Sequence, residues 1–493
     1  MRTKLFLIIG LVVCSVVTKA QTGLYVPQLA NFDTAMLNLM SNFNVPGGQL
    51  AITYQGRLVY NRGFGLADTL AQDSVYPNSL FRIASVSKPV TSIACMKLFE
   101  QGLLSLDATV FGVNGILNDA IYQNILDPQV INITVRMLLQ HGGGWNRNIS
   151  GDPMFNAYNI ATTMGVSSPP SASTVIQYVL ANKMLDFAPG TQYQYSNFGY
   201  CVLGRVIEKI TGQTYEDYVR NTILIPLNIN EMQLGSNLLS GQLPDEVNYY
   251  DYPGAPLAFS IYNNSTLVPW PYGGFNVEFM DSHGGWVASC EELVRLVCAT
   301  DRYNTRPDIL TVATIDTMIT PSIHEPTYAS GFGVNIYNNW WHLGSLPGTT
   351  AEIVRNGNWQ LNWAILLNTR DISTSINTAV DNLVWGVLPT ITNWPSFDLF
   401  SGSGISQSPD SPEFRFYPNP ASNTLHIAWN SIFKEAINLE IFNSYGQKIL
   451  DQHIIAGTKT ITIDVSKFAD GIYFFQSKVG SKVVGGEKIL ITN

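Results

Sequence analysis

The chain has 493 residues, 46% apolar, 11% aromatic and only 13% charged. That composition carries enough burial for two to four folded domains and excludes a disordered chain, whose charge repulsion outweighs its apolar gain. A formal charge of −9 argues against a nucleic-acid partner, because phosphates select a basic surface.

In chain order, Arg2 and Lys4 precede an apolar run at 5–17, and Thr18-Lys19-Ala20 follows it. The run falls short of the ~20 residues of a membrane span, so 1–20 is expected to be a secretory signal removed before Gln21, with no stable transmembrane anchor. Losing Arg2, Lys4 and Lys19 would take the charge from −9 to −12. Residues 48–54 and 57–60 predict a hairpin around Gln55-Gly56. A helix is predicted over 85–101, from Val90, Ile93, Ala94 and Leu98 on one face and Gly102 as the stop. Helical signals dominate the middle, for example at 199–211. Strand-like runs return at 333–337, 340–343, 350–354 and 362–367, broken by Asn338-Asn339, Pro347-Gly348 and Asn356-Gly357-Asn358. A hairpin in front, helices between and a meander behind predict an α+β domain over 21–400: an antiparallel sheet flanked by helices, with a mostly helical subdomain.

Cys95, Cys201, Cys290 and Cys298 stand among apolar neighbours at helical spacing. On one helix Cys290 and Cys298 would lie ~12 Å apart at 1.5 Å per residue, so buried thiols are expected rather than disulfides. No Cys-x-x-Cys or His-Glu-x-x-His pattern occurs, and no metal or organic cofactor is expected.

Residues 401–412 are rich in Gly, Ser and Pro and read as a linker. Beyond them, at 413–493, short alternating runs at 425–429, 439–442, 460–464 and 472–475 are separated by turn residues such as Asn443-Ser-Tyr-Gly446 and Asp470-Gly471. They predict a small all-β sandwich. Its formal charge is near +1 against about −13 for the rest of the mature chain.

The chemistry gathers at Ser85-Val86-Ser87-Lys88. A serine hydroxyl is a poor nucleophile at neutral pH and needs a neighbour to take its proton. One helical turn places Lys88 on the face of Ser85, and burial beside Phe81, Ile83 and Val86 would depress the lysine pKa enough to make it a base. If Ser85 opens the helix, its own N–H is left unpaired, half of an oxyanion hole. Ser-x-x-Lys recurs at Ser431 and Lys434, but in a strand-like region where residues three apart face opposite sides. Tyr195-Ser196-Asn197 offers a phenol as a second acid or base and an amide to hold a substrate carbonyl, on a loop between Ala188-Pro189-Gly190 and a helix. His342-Leu343-Gly344-Ser345 ends a strand, where Gly344 would let a substrate lie alongside and the Ser345 N–H would complete the oxyanion hole. His141-Gly142-Gly143 and His283-Gly284-Gly285 close no strand-like run and read as structural.

Together, Phe81-Arg-Ile-Ala-Ser-Val-Ser-Lys-Pro89, Ile133-Thr-Val-Arg-Met-Leu-Leu-Gln-His-Gly142, Phe187-Ala-Pro-Gly-Thr-Gln-Tyr-Gln-Tyr-Ser-Asn-Phe-Gly199, His283-Gly-Gly-Trp-Val-Ala-Ser289 and His342-Leu-Gly-Ser-Leu-Pro-Gly348 resemble, in order and spacing, the serine β-lactamase family. The likeness is to its class C-like branch of esterases, D-Ala-D-Ala carboxypeptidases and D-aminopeptidases. It implies an acyl-enzyme at Ser85, proton transfer shared by Lys88 and Tyr195, and substrate binding by Asn197, His342, Gly344 and Ser345. One departure bears on substrate: where class C β-lactamases carry Lys-Thr-Gly, this chain has His342-Leu343-Gly344, and a neutral imidazole is a poor carboxylate receptor. An ester or a D-amino-acid or peptidoglycan-like peptide is therefore expected ahead of a β-lactam. A non-catalytic surface-binding protein on the same scaffold is the rival from another class.

The tail, with Phe416-Tyr-Pro-Asn-Pro420, Phe442-Asn-Ser-Tyr-Gly446, Asp470-Gly-Ile-Tyr-Phe474 and Lys488-Ile-Leu-Ile-Thr-Asn493, is similar to the C-terminal sorting domain of the type IX secretion system, which belongs to the Bacteroidetes. This resemblance implies an exported, secreted or cell-surface protein whose tail is read by that machinery.

Overall fold

The computed structural model describes residues 21–371, 373, 375–401, 414–417, 421–429, 436–443, 447–479 and 482–492. The expected signal at 1–20, the linker beyond Ser401, the second Ser-x-x-Lys copy and the turn at 444–446 lie outside them. The chain divides into two compact units, Met1–Pro395 and Ser396–Asn493.

The first unit is built on the hairpin of β1 (Gly47–Tyr54) and β2 (Arg57–Asp68). Its two turn residues, Gln55 and Gly56, have φ of +51° and +74°, the left-handed pair that a two-residue hairpin requires. The meander follows as β3 (Trp340–Leu346), β4 (Thr349–Arg355) and β5 (Leu361–Leu367). The sheet runs β2-β1-β5-β4-β3, antiparallel throughout, with Gln21–Thr22 beyond β2 and Gly333–Val334 beyond β3. Gly48 pairs with Leu367 and Tyr54 with Leu361, so the two ends of the unit meet at the sheet centre. The strand predicted at 333–337 stops at Val334 because the Asn335 side chain accepts the N–H groups of Tyr337 and Asn339. This local bonding competes with the sheet ladder and turns the chain.

Five helices position the site and its sheet: α1 (Ala30–Asn42), α2 (Ser87–Glu100), α3 (Asn197–Thr211), α4 (Cys290–Cys298) and α5 (Ser375–Val387). The period-2 pattern of β1 sorts them. Leu50 and Ile52 join Trp363, Ile365, Met36 of α1 and Val380 of α5 in one apolar core. Gln49 and Thr53 point to the other face, where Gln49 accepts the Cys290 N–H at 3.0 Å and Thr53 Oγ1 lies 3.4 Å from Cys298 Sγ. Each large side chain so buried stabilises the layer by about 1.5–3 kcal/mol. Cys95 on α2, Cys201 on α3 and the two cysteines of α4 are buried and free.

The second unit contains β6 (Phe414–Tyr417), β7 (Thr424–Trp429), β8 (Ile437–Asn443), β9 (Lys448–Ile454), β10 (Thr460–Asp464), β11 (Gly471–Val479) and β12 (Lys482–Ile491). They form two antiparallel sheets, β6-β7-β10 and β9-β8-β11-β12, sharing a core of Leu425, Ile427, Leu439, Ile441, Phe475 and Ile489. Among the described residues no helix is long and apolar enough to cross a membrane.

Candidate active site

Ser85 reaches the cleft on a sharp bend. The α-helix starts two residues later than the serine, at Ser87, and Ala84–Val86 form a single 3-10 turn leading into it. Ala84 has φ of +49°, a left-handed conformation that costs a non-glycine residue about 1–2 kcal/mol and persists only where surroundings enforce it. Two contacts do so. The Ile83 N–H donates to the Trp286 carbonyl at 3.0 Å, and β3 presses on the bend at Gly344. A Cβ on Gly344 would stand 2.4 Å from the Ile83 oxygen and 3.1 Å from the Ser85 nitrogen. Gly344 is thus needed for strand β3 to approach the serine, a role distinct from making room for substrate. Ser345, next along β3, is exposed.

Ser85 is half-buried, whereas Lys88 is fully buried. Lys88 Nζ lies 3.1 Å from Ser85 Oγ, 2.8 Å from Asn197 Oδ1 and 2.9 Å from the His283 carbonyl oxygen. It makes no ion pair with any described residue, and desolvation carries its pKa well below the ordinary lysine value; Asp152 opposes and Arg147 pushes the same way. All three contacts are oxygens; the amide and carbonyl oxygens only accept, so once desolvation has made the amine neutral its lone pair can face the Ser85 hydroxyl.

Asn197 opens α3, whose N-cap Ser196 accepts the Gly199 N–H at 3.1 Å. Its Oδ1 accepts from Lys88, and one Nδ2 hydrogen donates to Asp152 Oδ2 at 2.7 Å. The amide thus holds the lysine and keeps a second N–H. Tyr195 is half-buried just before α3; burial drives its pKa well above the ordinary tyrosine value, and the Ser85 side chain nearby lowers it in part. The Lys88 amine sits 4.7 Å from the centre of its ring.

His342 is buried on β3, and desolvation with the nearby Lys88 holds its pKa down at about 3. It belongs to a chain of neutral side chains. His141 Nδ1 accepts the Ser196 N–H at 3.1 Å, so its Nε2–H donates to Tyr328 Oη at 3.0 Å. His342 Nδ1–H donates to the Leu343 carbonyl at 2.7 Å, leaving Nε2 to accept from the Tyr328 hydroxyl at 3.3 Å. Both His-Gly-Gly segments border the site: His141 buttresses the loop carrying Tyr195, and His283 contributes its carbonyl. Sequence reasoning missed Asp152, Arg147 and Tyr328. Asp152-Pro153 shows only the signal of a turn cap, a role the carboxylate also fills by accepting the Met154 N–H at 3.0 Å.

An antiparallel sheet closed from both ends of its unit, with a serine and a desolvated lysine in contact beside strand β3, is the arrangement of the β-lactamase/transpeptidase fold. The chain belongs to the beta-lactamase family, whose model matches residues 32–381. Residues 415–492 match the secretion system C-terminal sorting domain, so the protein is one exported to the cell surface or beyond.

Among relatives, a probable fimbrial assembly protein FimD, serogroup H1, of Dichelobacter nodosus is 30% identical over 255 residues, 51% of this chain and 56% of its own length. Penicillin-binding protein 4* of Bacillus subtilis is 30% identical over 216 residues, 43% of this chain and 42% of its own length. The chain thus spans about half the length of these curated relatives. Among solved structures, the D-amino acid amidase of Ochrobactrum anthropi, complexed with L-phenylalanine amide, superimposes with a TM-score of 0.56 at 19% identity, covering 73% of this chain and 99% of that one.

Proposed function

We propose that the first unit hydrolyses an ester or amide through an acyl-enzyme on Ser85, with an ester or a D-amino-acid peptide as substrate. The observation that carries the reading is the Lys88 amine, fully buried, with no counter-ion among the described residues and 3.1 Å from Ser85 Oγ. Lys88 takes the hydroxyl proton as the Ser85 oxygen bonds to the substrate carbonyl carbon. Tyr195, held protonated by burial, donates to the leaving oxygen or nitrogen as its bond to that carbon breaks, and the Lys88 proton replenishes it. Water then cleaves the acyl-enzyme with the same groups acting in reverse. The N–H groups of Ser85 and Ser345 hold the oxyanion, and Asn197 and Asp152 keep Lys88 aimed. The neutral His342 offers no charge for a drug carboxylate, which favours esterase or peptidase chemistry over β-lactamase chemistry. A non-catalytic binding protein would have no use for a desolvated amine aimed at a serine.

Ser85→Ala is expected to lower kcat for a p-nitrophenyl ester by about 10⁴-fold or more with the fold unchanged by circular dichroism, and mass spectrometry should find the acyl adduct in the wild type alone. Full residual activity in the variant would remove Ser85 from the reaction. The second unit acts as the address read by the type IX machinery: deleting 413–493 is expected to leave the purified hydrolase active and to stop its delivery outside a native-type host. Normal export of the shortened chain would defeat that reading.

A further inference from the structure

A cavity of about 350 Å³ lies beside Tyr195 and His342, and Arg147 is the one cation among the residues that line it. Arg147 is exposed and makes no hydrogen bond or ion pair with any described residue, while its guanidinium carbon sits 4.9 Å over the centre of the Tyr195 ring. The loop that carries it is fastened on both sides to one carboxylate, since Asp186 Oδ2 accepts the Asn146 N–H at 2.7 Å and the Ser150 hydroxyl at 2.8 Å. Arg147 is therefore presented by a pinned loop.

Stacking on a phenol occupies one face of a guanidinium and leaves its edge, a planar fork of N–H donors, open for a carboxylate. No other charged donor lines this cavity. His342 has both ring nitrogens engaged, one donating to Leu343 and one accepting from Tyr328. Glu325 carries the opposite charge and accepts from the Thr327 N–H at 3.2 Å and its hydroxyl at 2.5 Å.

We infer that Arg147 is a specificity-determining residue that binds a carboxylate on the leaving group of the substrate. The inference rests on the reaction proposed above, because the leaving atom must lie against the Tyr195 phenol to receive its proton, and Arg147 covers the ring of that same tyrosine. The favoured substrates are then acyl compounds whose departing half is an acid, such as a peptide ending in a free carboxylate.

The test uses two esters of one acyl group that differ only in the leaving phenol, 3-carboxyphenyl against 3-carbamoylphenyl, assayed with the full chain. The wild type is expected to prefer the carboxylate ester by about tenfold or more in kcat/KM, the discrimination typical of a charge-assisted hydrogen bond. Arg147→Gln is expected to bring that ratio near one, and Arg147→Lys to restore part of it. Because Arg147 also acts on Lys88 electrostatically, the ratio is the readout, and a loss shared equally by both esters would overturn the assignment. So would a wild-type ratio of one. Ser85→Ala is run with both esters alongside: surviving hydrolysis there sinks the acyl-enzyme reading itself, whereas an inactive Ser85→Ala with an unchanged Arg147→Gln ratio sinks only the role of Arg147.

Discussion

Lys88 in the first unit and Lys448 in the second show what surroundings do to one side chain. Lys448 is 41% exposed and lies 2.6 Å from Glu440 Oε1 and 2.8 Å from Asp451 Oδ2, hydrogen bonds that raise its pKa. Lys88 is fully enclosed, has only neutral oxygens against its amine, and its pKa falls. Carboxylates beside an exposed amine keep it charged. Burial without a counter-ion discharges it, and chemistry becomes available.

The comparison breaks most sharply at Lys88 itself. Lys88→Met is expected to lower kcat on the order of 10³-fold, the scale of a lost general base, in steady-state ester hydrolysis. It should also change the pH dependence of stability. Folded Lys88 sheds its proton below the unfolded value of ~10.4, so between those two values the unfolded chain binds more protons and stability rises with pH. Urea midpoints across that window should show a shallower rise in Lys88→Met; an identical rise would mean that Lys88 is charged in the fold.

Asp152→Asn sharpens the comparison by removing the one carboxylate that raises the Lys88 pKa. The acid limb of the kcat/KM profile should move to lower pH, and kcat should drop by about tenfold, as when a charge-assisted hydrogen bond that aims a catalytic group is lost. A limb that stays in place would assign it to a group other than Lys88. His342 is no candidate for that limb above pH 5, being neutral down to about 3. The smallest effect belongs to Lys448→Met: unchanged ester kinetics and little change in the urea midpoint, because Glu440 keeps Lys478 at 2.6 Å. A large fall in the midpoint would make the Lys448 contacts more than a solvated pair.

Much of this was legible in the chain because it is local. Ser85 and Lys88 are one turn apart, so helical spacing alone predicts their contact. Gln55-Gly56 announces its turn, and the strand-like runs at 350–354 and 362–367 place two central strands. The helix start is later than the serine because Ala84 bends the backbone, an effect of β3 pressing from 260 residues away in sequence, at Gly344. Asn197 reads naturally as a substrate-binding amide, and only the meeting of three distant segments adds its contacts to Lys88 and Asp152. Tyr328 escaped for the same reason: nothing near it in sequence marks it, and its role comes from standing between His141 and His342.

The central pairing of β1 with β5, Gly48 against Leu367, has a consequence for biogenesis. The first hairpin is synthesised early, yet its β1 edge stays open until more than 300 further residues have followed. Such separated partners make for slow closure, because the entropy of a long loop must be spent before the pairing rewards it. A chain that matures late stays threadable for longer, which suits a protein that leaves the compartment of its synthesis, and its waiting edge is where premature aggregation would begin.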